Sequence, residues 1–552
     1  MLGGADLAAT PWKLHVKEVP RINLQAVGEL AGGEESLRQL KHVVGWLRDT
    51  SRYEAVPRRS ARGLPATRLP MEWVELLLQH RVVKEIARNE VEGWVDVFVV
   101  PEPAKQRYRP IKHTRDVNAV LGKETLLKLR FPSKLDICNL VHAGECFIAL
   151  DFAAYYDQFE YSSEVGSRFC FRKGNRYFRL NNLAMGQRQA VEVAACTTAR
   201  MLDFGPTSTT ASIIDNVIFV GSREEVIRDA TTFVQRVAAV GGLLNEDVSD
   251  IAALVQTVGT WGGVQLDFVA KTSCLAQKTL DKTMVSWARR GEWTWRGFAA
   301  HVGLLFWAWQ LIDLPLPDFF ALLRFIGQAG RWLTDDDTLW DKPAYIQPAV
   351  WPVLEQWTML VLRNVPRTVP RSLPPEWIVA TDACEWGWGY FAVHNTTGAV
   401  RTHGAPWTPG FCSLYGDRLG VSTFTEPQAV INALCHLLDP SKPARVRVLT
   451  DNTVTQASYQ RGYNARSFHI NECLRRLHSI FGTTFVFDFA YLPGVVNPAD
   501  EWSRGGRITG GEEPRDLVVS AFLRRIAGSA ECPRELEAAS LSAQLARDSR
   551  TA

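Results

Sequence analysis

The stretch Ser212-Ile213-Ile214-Asp215-Asn216-Val217-Ile218-Phe219-Val220 constrains this chain more than any other. Two short apolar runs, rich in β-branched residues, flank a polar Asp-Asn pair, which is the pattern of a tight β-hairpin. Asp215 then sits at a hairpin tip anchored by two buried strands. Taken alone, the pair is an ordinary Asx turn. Its company changes the reading, because Cys146-Phe147-Ile148-Ala149-Leu150-Asp151 is a second buried strand that ends on a carboxylate. An Asp at a strand end is often only a helix cap. Two of them on neighbouring strands supply oxygen ligands to a divalent cation and leave one face open.

Bulk properties narrow the choices. A chain of 552 residues holds roughly three or four domains at ordinary sizes. With 46% hydrophobic and 22% charged residues it has the make-up of a globular protein that builds real cores. The net charge of +3 gives no global pull on nucleic acid, so local patches must carry any such binding. Ten cysteines without a Cys-x-x-Cys pair or a His/Cys cluster indicate neither a zinc site nor a disulfide framework. That usage fits a reducing, intracellular compartment, cytoplasmic or nuclear. Met1 to Thr10 lacks the basic and apolar regions of a secretory signal. The apolar patch around Leu304 to Trp307 is too short to span a bilayer and is followed by Gln310 and Asp313, so no membrane partner is expected.

Residues 1–70 form an N-terminal extension of Gly, Arg and Pro around one expected helix, Glu34 to Arg48. Met71 to Glu90 reads as a helix with Trp73, Val74, Leu76, Leu77 and Val82 on its apolar face. Trp94 to Val100 reads as a strand ended by Pro101 and Pro103. Lys105 to Arg130 carries eight Lys/Arg against two acidic residues. Such a run is a solvated face or a hairpin whose guanidinium forks grip phosphate oxygens. Its spacing, Arg109-Pro-Ile-Lys-His-Thr-Arg115-Asp-Val-Asn118, resembles the fingers motif of retroelement reverse transcriptases. The resemblance implies that Arg109 contacts the phosphates of an incoming dNTP, with Lys105 as helper, and that Arg115 and Asn118 pack the fingers against the palm.

The next motifs extend this resemblance through a fingers and palm region, residues 71–270. Leu150-Asp151-Phe152 followed by Tyr156 resembles motif A, which implies Asp151 as a metal ligand and Tyr156 as the steric gate under the sugar. A hairpin from Cys170 to Leu180 precedes Leu183-Ala184-Met185-Gly186-Gln187-Arg188-Gln189, which resembles motif B and opens a small-residue helix. Met185, Gly186 and Gln187 are the substrate-binding residues it implies, with Gly186 allowing close backbone approach to the nascent base pair. The wording Met-Gly-Gln-Arg-Gln is similar to tyrosine-recombinase retroelements of the kinetoplastid VIPER and TATE type, relatives of the DIRS group. Ile213-Ile214-Asp215-Asn216 resembles motif C, usually Tyr-x-Asp-Asp, so Asp215 aligns with the shared metal ligand and Asn216 supplies a neutral amide oxygen. Gly241 to Asn245 resembles motif D without its lysine, and Gly259 to Leu266 resembles the primer-grip hairpin of motif E.

Residues 271–365 are expected as thumb and connection, with helices over Thr279–Arg290, Thr294–Leu311 and Pro317–Leu333. Lys271, Lys278, Lys282, Arg289, Arg290 and Arg296 outnumber Asp281 and Glu292 there, and the dense tryptophans read as core. Basic helices of this kind fit the phosphates of a duplex. Pro366, Pro370, Pro374 and Pro375, with arginines between them, form a stiff linker over residues 366–375 and mark the main domain boundary.

Four more acids follow in residues 376–505. Trp377 to Ala383 is a strand that ends on Asp382, and Thr423-Phe424-Thr425-Glu426 opens a capped helix with Glu426 in its first turn. Arg445 to Asp451 is another strand ending in Asp, and Tyr491-Leu492-Pro493-Gly494-Val495-Val496-Asn497-Pro498-Ala499-Asp500 precedes Trp502-Ser503-Arg504. This order resembles the RNase H domain of retroelements, which implies Asp382, Glu426, Asp451 and Asp500 as ligands of two Mg²⁺ ions. Tyr491 stands where many relatives carry a histidine. The tail, residues 506–552, has one expected helix, Asp516 to Ala527.

The expected fold is therefore α/β (α+β), a right-hand polymerase with fingers, palm, thumb and connection, followed by an RNase H-like domain. The implied activities are RNA-directed DNA polymerase and ribonuclease H. Both active sites would use Mg²⁺, two ions each, replaceable by Mn²⁺. The implied partners are an RNA template, a DNA primer, the RNA–DNA hybrid and dNTPs. Asn216, the absent motif D lysine and Tyr491 favour a second reading, a degenerate or domesticated copy that binds RNA–DNA hybrids with RNase H activity only or with no catalysis.

Overall fold

The computed structural model describes residues 12–505 apart from 59–65, 103–104, 122–126, 310, 313, 369–374 and 483–484. The chain divides into two compact units, Met1–Thr272 and Ser273–Ala552. The expected tail helix lies outside the described residues, as does most of the proline linker.

In the first unit the expected helix α1 runs over Glu34–Arg48. The second, α2 (Met71–Gln79), stops well short of Glu90. Arg81 takes a left-handed backbone, φ 55°, and the β-branched residues that follow form a strand, β1 (Val83–Ile86). That strand pairs antiparallel with β6 (Arg176–Leu180), which forms the expected hairpin with β5 (Cys170–Lys173) around Gly174 at φ 60°. Pairing thus overrides the helical spacing that Val82 had suggested. Strand β2 (Asp96–Glu102) continues through Pro101 and pairs with β3 (Arg107–His113).

The centre of this unit is a three-stranded sheet in which β4 (Cys146–Asp151) and β7 (Thr209–Ile213) flank β8 (Asn216–Gly221). Val217 to Val220 are all buried, as are Phe147, Ile148 and Leu150. Each such side chain contributes about 1.5–3 kcal/mol on leaving water. Helix α3 (Ala190–Leu202) and helix α4 (Arg223–Ala239) follow motif B and β8. A capping box starts α4, with the Ser222 N–H donating to Glu225 Oε2 at 2.8 Å. The expected motif E hairpin is β9 (Val258–Trp261) with β10 (Val264–Asp267).

The second unit opens with α5 (Gln277–Ala288), α6 (Trp295–Ala308), α7 (Phe320–Asp335) and α8 (Trp351–Arg363). The last of these had no counterpart in the sequence reading. Trp287, Trp293 and Trp295 are core, whereas Trp307 and Trp332 face outward. His301 is wholly buried among these helices, within hydrogen-bond distance of Ser286 Oγ (3.1 Å) and Thr358 Oγ1 (3.0 Å).

A five-stranded mixed sheet follows in the order β13-β12-β11-β14-β15. Its strands are β11 (Trp377–Ala383), β12 (Gly387–His394), β13 (Val400–Pro406), β14 (Arg445–Thr450) and β15 (Val486–Tyr491). The first three are antiparallel neighbours, while β14 lies parallel to β11, and β15 parallel to β14. Helices α9 (Ser422–Leu437), α10 (Thr453–Arg461), α11 (Phe468–Phe481) and the short α12 (Asp500–Ser503) complete it. Helix α9 has Val421 at its N-cap without a side-chain cap, and Glu426 falls beyond the first turn, where the core begins. Among the described residues no helix is long and apolar enough to cross a membrane.

Candidate active sites

Backbone pairing builds the first site. Asp151, the last residue of β4, lies directly across from Asn216, and Ile213 pairs with Asn216, which leaves Ile214-Asp215 as a two-residue hairpin tip. Asn216 is therefore the first residue of a strand rather than part of the turn. Ile214 adopts φ 59°, costly for a β-branched residue. The tip is pinned by the Phe152 N–H on the Asp215 carbonyl (3.0 Å) and by Thr198 Oγ1 on the Ile214 carbonyl (2.7 Å). Opposed residues of an antiparallel pair share one face, so the Asn216 amide joins the Asp151 carboxylate. Asn216 Oδ1 is buried without a hydrogen-bond partner, an acceptor suited to a cation.

Charge confirms that these groups are neighbours. Burial, followed by the charge of Asp151, raises the Asp215 pKa. Burial also raises Asp151, against the pull of an Asn245 hydrogen bond and of the Lys105 ammonium. Tyr156 is pushed up to about 12, first by burial and then by Asp215. Ala154, at φ 43°, turns the chain so that Tyr155 stacks on Phe152 in the core while the next residue, Tyr156, stays half-buried beside the carboxylates.

The residues expected to contact phosphate divide. Lys105 is exposed, with its charge felt at Asp151. Arg109 is ion-paired with Glu102 on the adjoining strand (3.3 Å), a carboxylate that Arg107 also holds. Asn118 acts across motif B as expected: its Nδ2 donates to the Gly186 carbonyl (2.8 Å) and its Oδ1 accepts the Arg188 N–H (2.9 Å). Met185 and Gly186 are exposed, and a Cβ on Gly186 would come within 2.8 Å of the Lys112 carbonyl. Gln187 is placed differently from the expectation of a substrate contact. It is buried, donating to Tyr53 OH (2.9 Å) and accepting from Tyr161 OH (2.5 Å), so its side chain serves the core.

The sequence assigns no role to Asn245, which only ends the motif D run, or to Glu246. Asn245 Nδ2 donates to Asp151 Oδ2 (2.9 Å), and Glu246 Oε2 accepts the Asp151 N–H (2.9 Å). The signal was present: both directly follow the Gly-Gly-Leu-Leu run assigned to motif D. Buried Lys112, on β3, pairs with half-buried Asp157 (2.5 Å).

The second site forms where the mixed sheet changes direction. Strands β11 and β14 are adjacent and parallel, with Ala380 in register with Leu449, so Asp382 and Asp451 each lie two residues further along. Crevices at the carboxyl ends of strands that diverge in connection are where open α/β sheets place ligands. Helix α9 brings Glu426 to the same point, and Asp382, Glu426 and Asp451 offer oxygens within 4.8 Å of one another. The Ala383 N–H donates to Glu426 Oε1 (3.0 Å), while Oε2 is buried with no partner. Burial, with the charges of Asp382 and Asp451, pushes Glu426 up to about 9. Asp382 rises to about 6, mainly by burial, and burial also raises Asp451.

Such a cluster of buried carboxylates, one with an orphaned oxygen, fits a hard divalent cation with oxygen ligands such as Mg²⁺ or Mn²⁺. Gly494 lies beside it, and a Cβ there would come within 2.8 Å of Asp451 Oδ2, so any side chain would displace that carboxylate. Asp500 stands outside the close trio and is ion-paired with Arg504 (2.9 Å), though its charge acts on both Asp382 and Asp451.

No protein-family model matches the chain, and no curated protein does. Among solved structures it is similar to the foamy viral protease–reverse transcriptase. In the complex with double-stranded DNA the identity is 11%, covering 87% of this chain and 99% of that one, with a TM-score of 0.43. In the complex with RNA/DNA hybrid the identity is 11%, covering 91% and 67%, again at 0.43. The native Prototype Foamy Virus enzyme is 13% identical over 86% and 63%, with a TM-score of 0.31.

Proposed function

We propose that the chain is an RNA-directed DNA polymerase with an associated ribonuclease H, of retroelement type and closest in motif wording to the tyrosine-recombinase (DIRS-like) elements. The observation that carries the reading is the presence, in one chain, of two separate strand-end carboxylate clusters in the order the motifs imply: Asp151 with Asp215, then Asp382 with Glu426 and Asp451. In this reading residues 71–270 are fingers and palm, 271–365 thumb and connection, and 376–505 the hydrolase domain.

In the palm, Asp151, Asp215 and the Asn216 amide would hold divalent ions, whose chemistry there is to stabilise the charge that builds on phosphate during nucleotidyl transfer. The chain's own contribution is placement. The pinned hairpin tip fixes Asp215 beside Asp151, and Asn245 orients the Asp151 carboxylate. Tyr156 lies at the carboxylates, where its ring would bear on a sugar 2′-hydroxyl. Lys105 and, once released from Glu102, Arg109 would face the triphosphate. The primer, the RNA template and the dNTP are the substrates of this half. The RNA–DNA hybrid is the substrate of the other, where Asp382, Glu426, Asp451 and Asp500 would hold the ions beside a scissile RNA phosphodiester.

A second reading, hydrolase only, is favoured by one observation: the palm offers two carboxylates and an amide where the other site offers three clustered carboxylates. Primer extension in Mg²⁺ and Mn²⁺ with the full chain and with Asp151→Asn separates the two. Extension lost in the variant supports the polymerase, and wild-type extension no better than the variant's eliminates it. Hybrid cleavage in Asp382→Asn tests the other half in the same way.

A further inference from the structure

We propose that Ser503, with Asn497, is a positioning residue that fixes the Asp382 carboxylate for a divalent cation, and that Gly389 and Gly404 form the seat that brings Ser503 there. The inference deepens the hydrolase half of the reading above and rests on it.

The seat is set by register. Asp382 pairs with Gly389 on β12, and Gly389 pairs with Gly404 on β13, so two glycines lie in one row beside the carboxylate. The short helix α12 rests across that row on its backbone. A Cβ on Gly389 would come within 2.5 Å of Ser503 N, and one on Gly404 within 2.1 Å of the Trp502 carbonyl. Any side chain at either position would lift α12 off the sheet, which is why a residue without Cβ is needed at both.

The consequence lands on Asp382. Ser503, 2% exposed, has its hydroxyl on Asp382 Oδ2 and 3.0 Å from the Asp500 carbonyl. Asn497, 7% exposed, directs its Nδ2 to the Thr381 carbonyl (3.0 Å) and to Asp382 Oδ1 (3.4 Å). Its own Oδ1 accepts the Ala499 N–H (3.1 Å), which locks the amide orientation. Both carboxylate oxygens of Asp382 thus have a fixed donor from one loop, and the same loop carries Asp500. Outer partners that orient a ligating carboxylate typically change metal affinity by roughly 10–100-fold when removed.

The test is Mn²⁺ binding by calorimetry with the full chain, in the Asp151→Asn background so that the palm contributes less. Ser503→Ala removes one oxygen from a site next to a small turn. It is expected to weaken Mn²⁺ about tenfold or more and to lower kcat for hybrid cleavage while leaving the hybrid KM unchanged. Asn497→Ala, whose contact is longer, is expected to lose less. A melting curve in chelator shows that each variant is folded. A folded Ser503→Ala protein that keeps wild-type Mn²⁺ affinity overturns the proposal. Should Asp382→Asn itself leave Mn²⁺ binding intact, the metal-site reading falls first and takes this one with it, a result distinguishable from the former.

Discussion

The two acidic sites solve the same electrostatic problem differently. At the Asp215 hairpin, two half-buried carboxylates and an amide meet at the tip, held by backbone hydrogen bonds and by exposed Asn245. In the mixed sheet, three carboxylates from two strands and a helix are packed within 4.8 Å, and Asp382 and Glu426 are almost wholly buried. Close like charges in a low dielectric raise each other's pKa and destabilise the fold until a cation joins them. The second site is therefore the more strained without metal and the more dependent on it. The hairpin site, with one acidic group fewer, is expected to tolerate an empty state better and to bind a cation less strongly.

Glu426→Gln separates the sites most sharply. The amide mimics the protonated acid, so hybrid cleavage is expected to fall by roughly 10³-fold while primer extension is unchanged. The folded-state pKa of Glu426, about 9, lies above its ordinary 4.5, so the folded chain holds that proton more tightly than the unfolded chain. Metal-free stability accordingly declines as pH rises from 4.5 through about 9. The variant removes that decline, so melting in chelator at pH 8 should be several degrees higher in the variant than in the parent chain, with the difference vanishing toward pH 4.5. A variant that melts no higher would mean that the trio carries no such strain.

His301, in the same unit, titrates with the opposite sign and must be separated from this effect. Burial lowers its pKa from 6.5 to about 4, so the unfolded chain takes up the proton first. Its contribution is intact above pH 6.5 and is lost as pH falls from there through about 4, a total of about 3 kcal/mol. Denaturant titrations of the Glu426→Gln variant at pH 7.5 and pH 5 should show about 2 kcal/mol of that loss, and His301→Gln should flatten it. An unchanged slope in the double variant would assign the pH dependence elsewhere.

Asn216→Asp probes the comparison from the hairpin side. Adding the missing carboxylate should raise Mg²⁺-dependent extension, by about tenfold at most, near 1.4 kcal/mol of transition-state stabilisation. The gain should be smaller in Mn²⁺. Lower activity in the variant would show that the hairpin is built around the amide, whose buried Oδ1 now has no partner.

How much of this was legible follows from what each residue depends on. Strand-end acids could be read from the sequence because β-branched runs and the residue after them are local patterns, and both the 209–221 hairpin and the Asp382 strand fold as those patterns imply. The helix expected to Glu90 failed because pairing with Arg176–Leu180, a contact about ninety positions away, decides the state of Val83–Ile86. Gln187 looked like a substrate contact because motif position says nothing about side-chain direction, and two tyrosines from other segments claim its amide. The roles of Asn245 and Ser503 were not legible for the same reason: they exist only once the fold brings these residues against Asp151 and Asp382.

Those last two residues allow the finest comparison. Each donates to the first carboxylate of its site, Asn245 to Asp151 Oδ2 from an exposed position and Ser503 to Asp382 Oδ2 from a buried one. Water can replace the exposed Asn245 amide but has no access to the Ser503 hydroxyl, so equal truncations should have unequal effects. Asn245→Ala is expected to lower extension about 3-fold, at the weak end of a single hydrogen bond, near 0.7 kcal/mol. Ser503→Ala should cost hybrid cleavage distinctly more. Measured side by side as kcat for each activity, a larger loss for Asn245→Ala would reverse the ranking of the two sites by burial and show that the Asp151 carboxylate is the more precisely held.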